Sequence, residues 1–188
     1  VSAFLLNRSS DLERYSVTTL FDDCQFMYNT YAIRNIGDTK IINCFIYSNE
    51  YGVELGAGAN GNNIVNNKIE WNNHFGITAF QSNGNTIDAT QFDRNGESGI
   101  IANECKDWII SDCQMGRNGA LTNDASLQNH FYLLNCQNFV FNGVLTNASL
   151  MFDDGTGTIK PRCVARMYNN TNVLFAGCGL KGYTGVQF

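Results

Sequence analysis

The feature that most constrains this chain is a unit of about 23 residues that returns along its length. A reference column recurs at intervals of 20, 23, 23 and 23 residues: Cys24, Cys44, Asn67, Thr90 and Cys113. The positions three residues earlier are all apolar: Phe21, Ile41, Ile64, Ile87 and Ile110. The positions two residues later are also apolar: Phe26, Ile46, Ile69, Phe92 and Met115. A fixed period of this kind is typical of repeat architectures, in which equivalent residues stack on one another.

An unbroken asparagine column lies five positions after the reference column: Asn29, Asn49, Asn72, Asn95 and Asn118. Stacked side-chain amides predict a ladder of hydrogen bonds from one unit to the next. Asparagine also tolerates the left-handed backbone conformation of a sharp corner, so we expect these residues to form the corners themselves. A small residue and an aliphatic one follow in most units, as in Gly76-Ile77.

The apolar stretches within each unit are short and rich in Ile, Phe and Val, which favours strands over helices. One unit has room for three short strands, and each coil would rise to the next by about 4.8 Å, the spacing of paired strands. The sequence therefore predicts an all-β fold: a right-handed parallel β-helix, or β-solenoid, of about seven coils with longer loops in the C-terminal coils.

A single domain is expected across residues 1–188, because a chain of this length can bury one sizeable core. It divides into a leading segment (1–15), regular coils (16–119) and coils with loop insertions (120–188). The second insertion contains a predicted turn at Asp153-Asp154-Gly155-Thr156-Gly157. A stack exposes strand edges at its ends and no capping helix is evident, so we expect a homotrimer or a segment of a larger spike.

The composition of the chain argues against several classes of partner and site. The net charge of −5 and the lack of a Lys/Arg run argue against nucleic acid, and no apolar span suggests membrane insertion. The seven cysteines are an odd number without a CxxC pair, so we expect small core residues and no metal site. No phosphate loop or other cofactor motif is present, and no cofactor is expected.

At the level of the repeat, the chain resembles the pectin-lyase-like superfamily of right-handed parallel β-helices. The unit I-x-x-(C/N/T)-x-(I/F)-x-x-N carries this resemblance from about Ser16 onward, in a style similar to phage tailspike and receptor-binding proteins. The resemblance implies the fold more specifically than the function. It also implies a bacterial surface polysaccharide as partner and a virion-tail or extracellular location.

Two carboxylates, Glu70 and Asp93, fall in the same outward column of consecutive coils and are the candidate catalytic pair. A separation of about 5 Å matches the nucleophile and acid/base of retaining glycosidases, and a calcium ion between them is an alternative. The remaining alternative is a solvated face whose charge is balanced by Arg94, Arg117 and Lys68.

Candidate substrate-binding residues surround this pair: Tyr47, Trp71, His74, Arg94 and Arg117. The column next to the carboxylates contains an aromatic part and two guanidinium groups: Tyr28, Ser48, Trp71, Arg94 and Arg117. We expect Tyr47 and Trp71 to serve as platforms for sugar rings. His74 is a candidate acid or base, although a lone histidine at a corner is more often an exposed turn residue.

Three functions follow from these residues. The first is a tailspike-like β-helix that binds, and as an endo-glycosidase hydrolyses, a bacterial surface polysaccharide. The second is a non-catalytic structural or adhesion segment of a larger spike or envelope protein. The third is a polysaccharide lyase or epimerase, which has less support because the expected Asp, His and Arg signatures are missing. Asp22-Asp23 resembles the paired Asp of polygalacturonases, but that family's other motifs are absent.

Overall fold

The computed structural model describes residues 16–119, 121–147 and 161–181 as a stack of strands. Sheet A contains Leu20–Asp22, Lys40–Ile42, Asn63–Val65, Thr86–Asp88, Lys106–Ser111, Gln137–Asn142 and Thr171–Ala176. Sheet B contains Gln25–Met27, Phe45–Tyr47, Lys68–Glu70, Gln91–Asp93, Gln114–Gly116, Leu145–Asn147 and Gly179–Lys181. Sheet C contains Tyr31–Arg34, Tyr51–Leu55, Ile77–Phe80, Ile100–Asn103, Asn129–Leu134 and Cys163–Tyr168. The remaining pair is Ser16–Val17 with Ile36–Gly37.

Every pairing between these strands is parallel, and each strand pairs with its counterpart one coil away. In sheet A, Ile64 lies in register with Ile41 and Ile87, and Ile87 lies in register with Ile110. All four side chains are completely buried. Their counterparts in sheet B are buried as well: Ile46, Ile69, Phe92 and Met115. The predicted all-β parallel β-helix and the apolar columns that fill its interior are therefore confirmed.

Aromatic rings and cysteines complete the interior. Trp108 is fully buried and stacks on Phe139, with 5.5 Å between ring centroids. All seven cysteines are free thiols, and most are buried. Burial raises the pKa of the Cys44 thiol to about 11 and that of Cys113 to about 12, so both stay protonated and unreactive at neutral pH. The expectation that the cysteines are small core residues is confirmed.

The asparagine column forms the predicted ladder at the corner between sheets B and C. The Nδ2 of Asn49 donates to the Oδ1 of Asn72 at 3.0 Å, and Asn72 and Asn95 each donate to the next amide at 2.8 Å. The backbone prediction for these residues is wrong. The left-handed residue is the one before each asparagine, for example Trp71 before Asn72, with a φ of 56°. That reversal turns the asparagine inward onto the next coil.

The ladder ends at a buried histidine. The loop between Gln114–Gly116 and Asn129–Leu134 brings His130 back onto the stack, where its Nδ1 lies 3.1 Å from the Nδ2 of Asn118. The amide can only donate, so this nitrogen accepts and the ring is neutral. Burial lowers the pKa of His130 to about 3. The leading segment 1–15 and the predicted turn at 153–157 lie outside the described residues.

Candidate functional site

The candidate catalytic carboxylates occupy equivalent positions in sheet B. Glu70 pairs in register with Asp93, and Tyr47 and Gly116 continue the same column on either side. Neighbouring strands in a sheet are about 4.8 Å apart, so the two residues stand side by side as expected from the repeat. Their surroundings differ, however, and this difference decides what each can do.

Asp93 is clamped between two arginines. The Nε of Arg117 donates to its Oδ1 at 2.9 Å, the Nη2 of the same guanidinium donates to Oδ2, and the Nη1 of Arg94 donates to Oδ2 at 3.0 Å. Only 3% of Asp93 is exposed. A Cβ at Gly116 would lie 2.8 Å from Oδ1, so the glycine provides the space into which the carboxylate leans. We call Asp93, Arg94 and Arg117 the arginine cluster.

Glu70 has a separate and more open partner. Its Oε1 lies 2.9 Å from the Nζ of Lys68, and the two side chains are 14% and 37% exposed. The negative charges of Glu70 and Asp93 are thus balanced by Lys68, Arg94 and Arg117, as expected for a solvated face. Asp93, however, is buried rather than solvated. Because both oxygens of Asp93 accept charged hydrogen bonds, its most direct role is to hold the two guanidinium groups in place.

The aromatic candidates lie on the same side of the stack. Trp71 adopts the left-handed conformation at the B–C corner, and the guanidinium of Arg94 covers one face of its ring, 4.6 Å from the centroid. Tyr47 is half-buried, and its hydroxyl donates to the sulfur of Met27 at 3.3 Å. Arg94 and Arg117 thus contact Asp93 directly, and Trp71 joins this group through Arg94. Tyr47 adjoins Glu70 in the sheet, but its hydroxyl bonds to Met27.

His74 belongs to a different group of side chains. Its ring stacks on Tyr51 at 4.5 Å between centroids, and Tyr51 in turn stacks on Tyr31 at 4.7 Å. The Nδ1 of His74 lies 3.0 Å from a carboxylate oxygen of Glu97. This histidine thus ends an aromatic column beside sheet C, and its contacts are with Tyr51 and Glu97 rather than with the candidate catalytic pair.

Two depressions border these residues. The first, which we call the sheet B groove, has a volume of about 620 Å³ and is lined by Gln91, Asp93, Arg94, Gln114, Met115, Gly116, Arg117, Leu145, Thr146, Asn147 and Gly179. The second, the corner slot, has a volume of about 590 Å³ and is lined by Tyr28, Asn29, Thr30, Ser48, Glu50, Trp71 and Asn73.

The sequence had not assigned a role to Gln91, Gln114 or Tyr28. The signal for Tyr28 was present, since it shares a repeat column with Trp71 and is separated from it by the small Ser48. The glutamines occupy the outward column two positions before the carboxylates and could have been found in the same way. The groove extends beyond Asp93 toward the C-terminal coils and does not include Glu70 among its lining residues.

Within 16–119, 121–147 and 161–181, no group of three or more His, Cys, Asp or Glu side chains is arranged to hold a metal ion. No helix in these described ranges is long and apolar enough to cross a membrane.

The sequence matches the family model described as a right handed beta helix region over residues 2–178. No curated protein is similar enough in sequence to be matched with the chain.

Solved structures of the same architecture are distant in sequence. Tailspike protein 2 of Escherichia coli O157:H7 bacteriophage CAB120 gives a TM-score of 0.65 at 16% identity, covering 83% of this chain and 25% of the tailspike. Alginate lyase from Paenibacillus sp. gives 0.59 at 13%, covering 87% and 61%. The A-module of an Azotobacter vinelandii mannuronan C-5 epimerase gives 0.55 at 12%, covering 92% and 57%. The chain spans less than two thirds of each, and identities this low indicate a common fold alone.

Proposed function

Because the chain belongs to the right-handed β-helix family, we propose that it is a tailspike-like stack that binds a polysaccharide along the outer face of sheet B. The sheet B groove is the observation that carries this proposal. Its walls combine the amides of Gln91 and Gln114, the guanidinium groups of Arg94 and Arg117, and the apolar side chain of Leu145. Planar donors and acceptors beside apolar surface suit the hydroxyl groups and C–H faces of sugars.

The rigidity of the groove supports binding of an extended chain. Its floor consists of strands in register, with Gln91 opposite Gln114 and Gln114 opposite Leu145. Equivalent positions therefore repeat every 4.8 Å or so along the stack. A preformed linear array of this kind needs little reorganisation on binding, which favours a linear polymer over a compact ligand.

The structural neighbours support the same class of ligand. Two of them are named for alginate and mannuronan, which are polysaccharides, and the third is a phage tailspike. These proteins share the stack but differ in their reactions. The ligand class therefore transfers to this chain as a proposal more readily than any one chemistry does.

Binding is tested with immobilised capsular and O-antigen polysaccharides and with a glycan array. The informative variant is Gln91→Ala combined with Gln114→Ala, which removes two outward amides from the groove. The matched control is Asn63→Ala combined with Thr86→Ala, at outward positions of sheet A. We expect the groove variant to lose about tenfold in affinity, the size of one or two polar contacts, and the control to bind as the wild type does.

Blank results with every polysaccharide and every glycan on the array would contradict the proposal. The chain would then be better described as a structural or adhesion segment of a larger spike or envelope protein. An equal loss in the groove variant and the sheet A control would also count against it, because the effect would then reflect the stack as a whole.

Hydrolysis by Glu70 and Asp93 is a second candidate, favoured by their direct pairing in sheet B. In this role the pair would act as nucleophile and acid/base of a retaining endo-glycosidase. Release of oligosaccharides from a bound polysaccharide, abolished by Glu70→Gln, is the expected result. Binding without release would remove the enzymatic role. Unsaturated products that absorb in the ultraviolet would indicate a lyase instead.

Assembly and location complete the proposal. We propose that the protein is located on a virion tail or outside the cell, as a homotrimer or as part of a longer spike. Measurement of its mass in solution tests this assembly: a stable trimer supports a spike, whereas a monomer favours a self-contained glycan-binding protein or enzyme.

A further inference from the structure

The corner slot is a cleft lined by aromatic residues, and none of its lining residues belongs to the sheet B groove. Tyr28 and Trp71 stand on its two sides, and the much smaller Ser48 lies on the coil between them. Neighbouring coils are about 4.8 Å apart, so the two aromatic residues are about 10 Å apart along the stack. Because Ser48 is small and its neighbours in the column are large, a gap one coil wide lies between Tyr28 and Trp71.

The backbone fixes this gap. Tyr28, Ser48 and Trp71 all adopt the left-handed conformation, with φ values of 60°, 55° and 56°. The N–H of Tyr28 donates to the carbonyl of Ser48 at 3.1 Å, and the N–H of Ser48 donates to that of Glu70 at 3.4 Å. The three side chains therefore leave equivalent corners of consecutive coils, and their spacing is set by strand pairing rather than by a flexible loop.

The Trp71 wall is braced from behind. Arg94, one coil further along, covers the ring at 4.6 Å and is itself held by the carboxylate of Asp93 at 3.0 Å. Ser48 lies one coil away in the opposite direction. The tryptophan is therefore supported by a cation on one side and borders the slot on the other, which is a pre-organised arrangement for stacking.

The Tyr28 wall is exposed. At 76% exposure it is the most open of the large apolar side chains in the described ranges, yet it stands on a rigid corner. Two aromatic side chains about 10 Å apart leave space for one ring between them, because each van der Waals contact occupies about 3.5–4 Å. A pyranose ring, with its two C–H faces, has the corresponding shape.

The rim indicates which pyranose. The polar side chains around the slot are hydroxyls, amides and one carboxylate, Glu50, and none of the described lining residues is basic. A sugar carboxylate placed there would meet Glu50 without a compensating cation, whereas neutral hydroxyls find acceptors and donors in Glu50, Thr30 and Asn73.

We propose that the corner slot binds one uncharged pyranose unit between Tyr28 and Trp71, with Ser48 as its floor. This inference rests on the proposed glycan-binding function and adds a subsite to it. The slot lies on the N-terminal coils, the groove on the following ones, and both border sheet B. A single glycan chain running along the stack would occupy both.

The decisive variant is Ser48→Tyr, which inserts an aromatic ring into the gap. The left-handed backbone is no obstacle, since Tyr28 and Trp71 hold aromatic side chains in the same conformation. We therefore expect a folded protein, checked by thermal unfolding, whose slot is filled. The matched control is Gln81→Tyr, because Gln81 is exposed and left-handed with a φ of 49° but lies at the end of a strand of sheet C.

Tryptophan fluorescence provides the readout. The chain has two tryptophans, of which Trp108 is fully buried and Trp71 borders the slot. The probes are the methyl pyranosides of glucose, galactose and N-acetylglucosamine, with methyl glucuronide as the acidic counterpart. We expect saturable quenching or enhancement by at least one neutral probe, weaker binding of the glucuronide, and a loss of about tenfold or more in Ser48→Tyr and Tyr28→Ala.

The outcomes separate the two proposals. Neutral probes that bind equally well to the wild type and Ser48→Tyr, or a glucuronide that binds as tightly as they do, would overturn the slot assignment. If Ser48→Tyr keeps polysaccharide binding while the Gln91→Ala and Gln114→Ala variant loses it, the slot fails and the groove stands. If the simple pyranosides bind to the slot but no polysaccharide binds, the subsite stands and the groove fails.

Discussion

Five equivalent corners between sheets B and C share one backbone conformation but carry two kinds of chemistry. Tyr28, Ser48 and Trp71 border an open slot, whereas Arg94 and Arg117 close over Asp93. The φ values of all five lie between 51° and 60°. The repeat thus determines the backbone and the inward side chains, whereas the outward side chain is free to serve a ligand or to stabilise the stack.

The largest effect is expected when the charge is removed from the arginine cluster. Asp93→Asn keeps the volume of the side chain but removes the carboxylate that Arg94 and Arg117 share, and both of these arginines are largely buried. We expect a loss of about 4 kcal/mol in the free energy of unfolding, as for other broken buried ion pairs. Chemical denaturation measures it. A loss below about 1 kcal/mol would mean that the cluster behaves as a surface pair.

The second prediction concerns the asparagine ladder, which the two kinds of corner have in common. Asn72→Ala interrupts the buried ladder, removing the acceptor of the Asn49 amide and the donor to Asn95. Since several buried polar groups lose partners, we expect a loss of about 3 kcal/mol. Asn73→Ala, at the next residue, which is exposed and is not left-handed, serves as control and should cost far less. Equal losses of unfolding free energy in the two variants would show that the buried ladder does not stabilise the stack.

The third prediction concerns the end of the ladder beside the arginine coils. His130 takes up a proton near pH 6.5 in the unfolded chain but only at about pH 3 when folded. Between these values the unfolded state binds more protons, so stability falls as the pH falls. From pH 6.5 to 5 the loss should be about 2 kcal/mol.

One variant isolates this contribution. His130→Gln retains an acceptor for the amide of Asn118 without a titrating group, and its stability should change less steeply between pH 6.5 and 5 than that of the wild type. Parallel curves for the two proteins would show that acid sensitivity arises elsewhere.

The smallest effect is expected at the neighbour of Asp93. Glu70→Gln breaks the pair with Lys68, whose side chain is 37% exposed, so we expect a cost of about 0.5 kcal/mol. The contrast with Asp93→Asn is the informative quantity, because the two carboxylates occupy the same position on adjacent strands. If both variants lost the same free energy of unfolding, burial would not be what distinguishes them.

Much of the fold could be predicted because it depends on position within the repeat. The columns that contain Ile64 and Asn72 identified the buried registers and the amide ladder directly. The left-handed residue was misassigned because asparagine is common at such corners in general, whereas here its amide is needed inside the stack and the preceding residue makes the turn, whether it is Ser48 or Trp71.

The site was less predictable because it depends on relations between coils. The burial of Asp93 requires an absent Cβ at Gly116 and an arginine folding back from the next coil. The slot depends on a small residue, Ser48, between two large ones. These are pairwise differences between repeats, and a pattern that emphasises what the repeats share does not reveal them.

A crystal structure of the protein with an oligosaccharide that scores in the binding assays would show directly where the glycan lies. We predict a sugar ring between Tyr28 and Trp71, over Ser48, with the rest of the chain running along sheet B toward Arg117. A sugar bound to the outer face of sheet A, with the sheet B groove and the corner slot both occupied only by solvent, would contradict the proposal that a glycan binds along the outer face of sheet B.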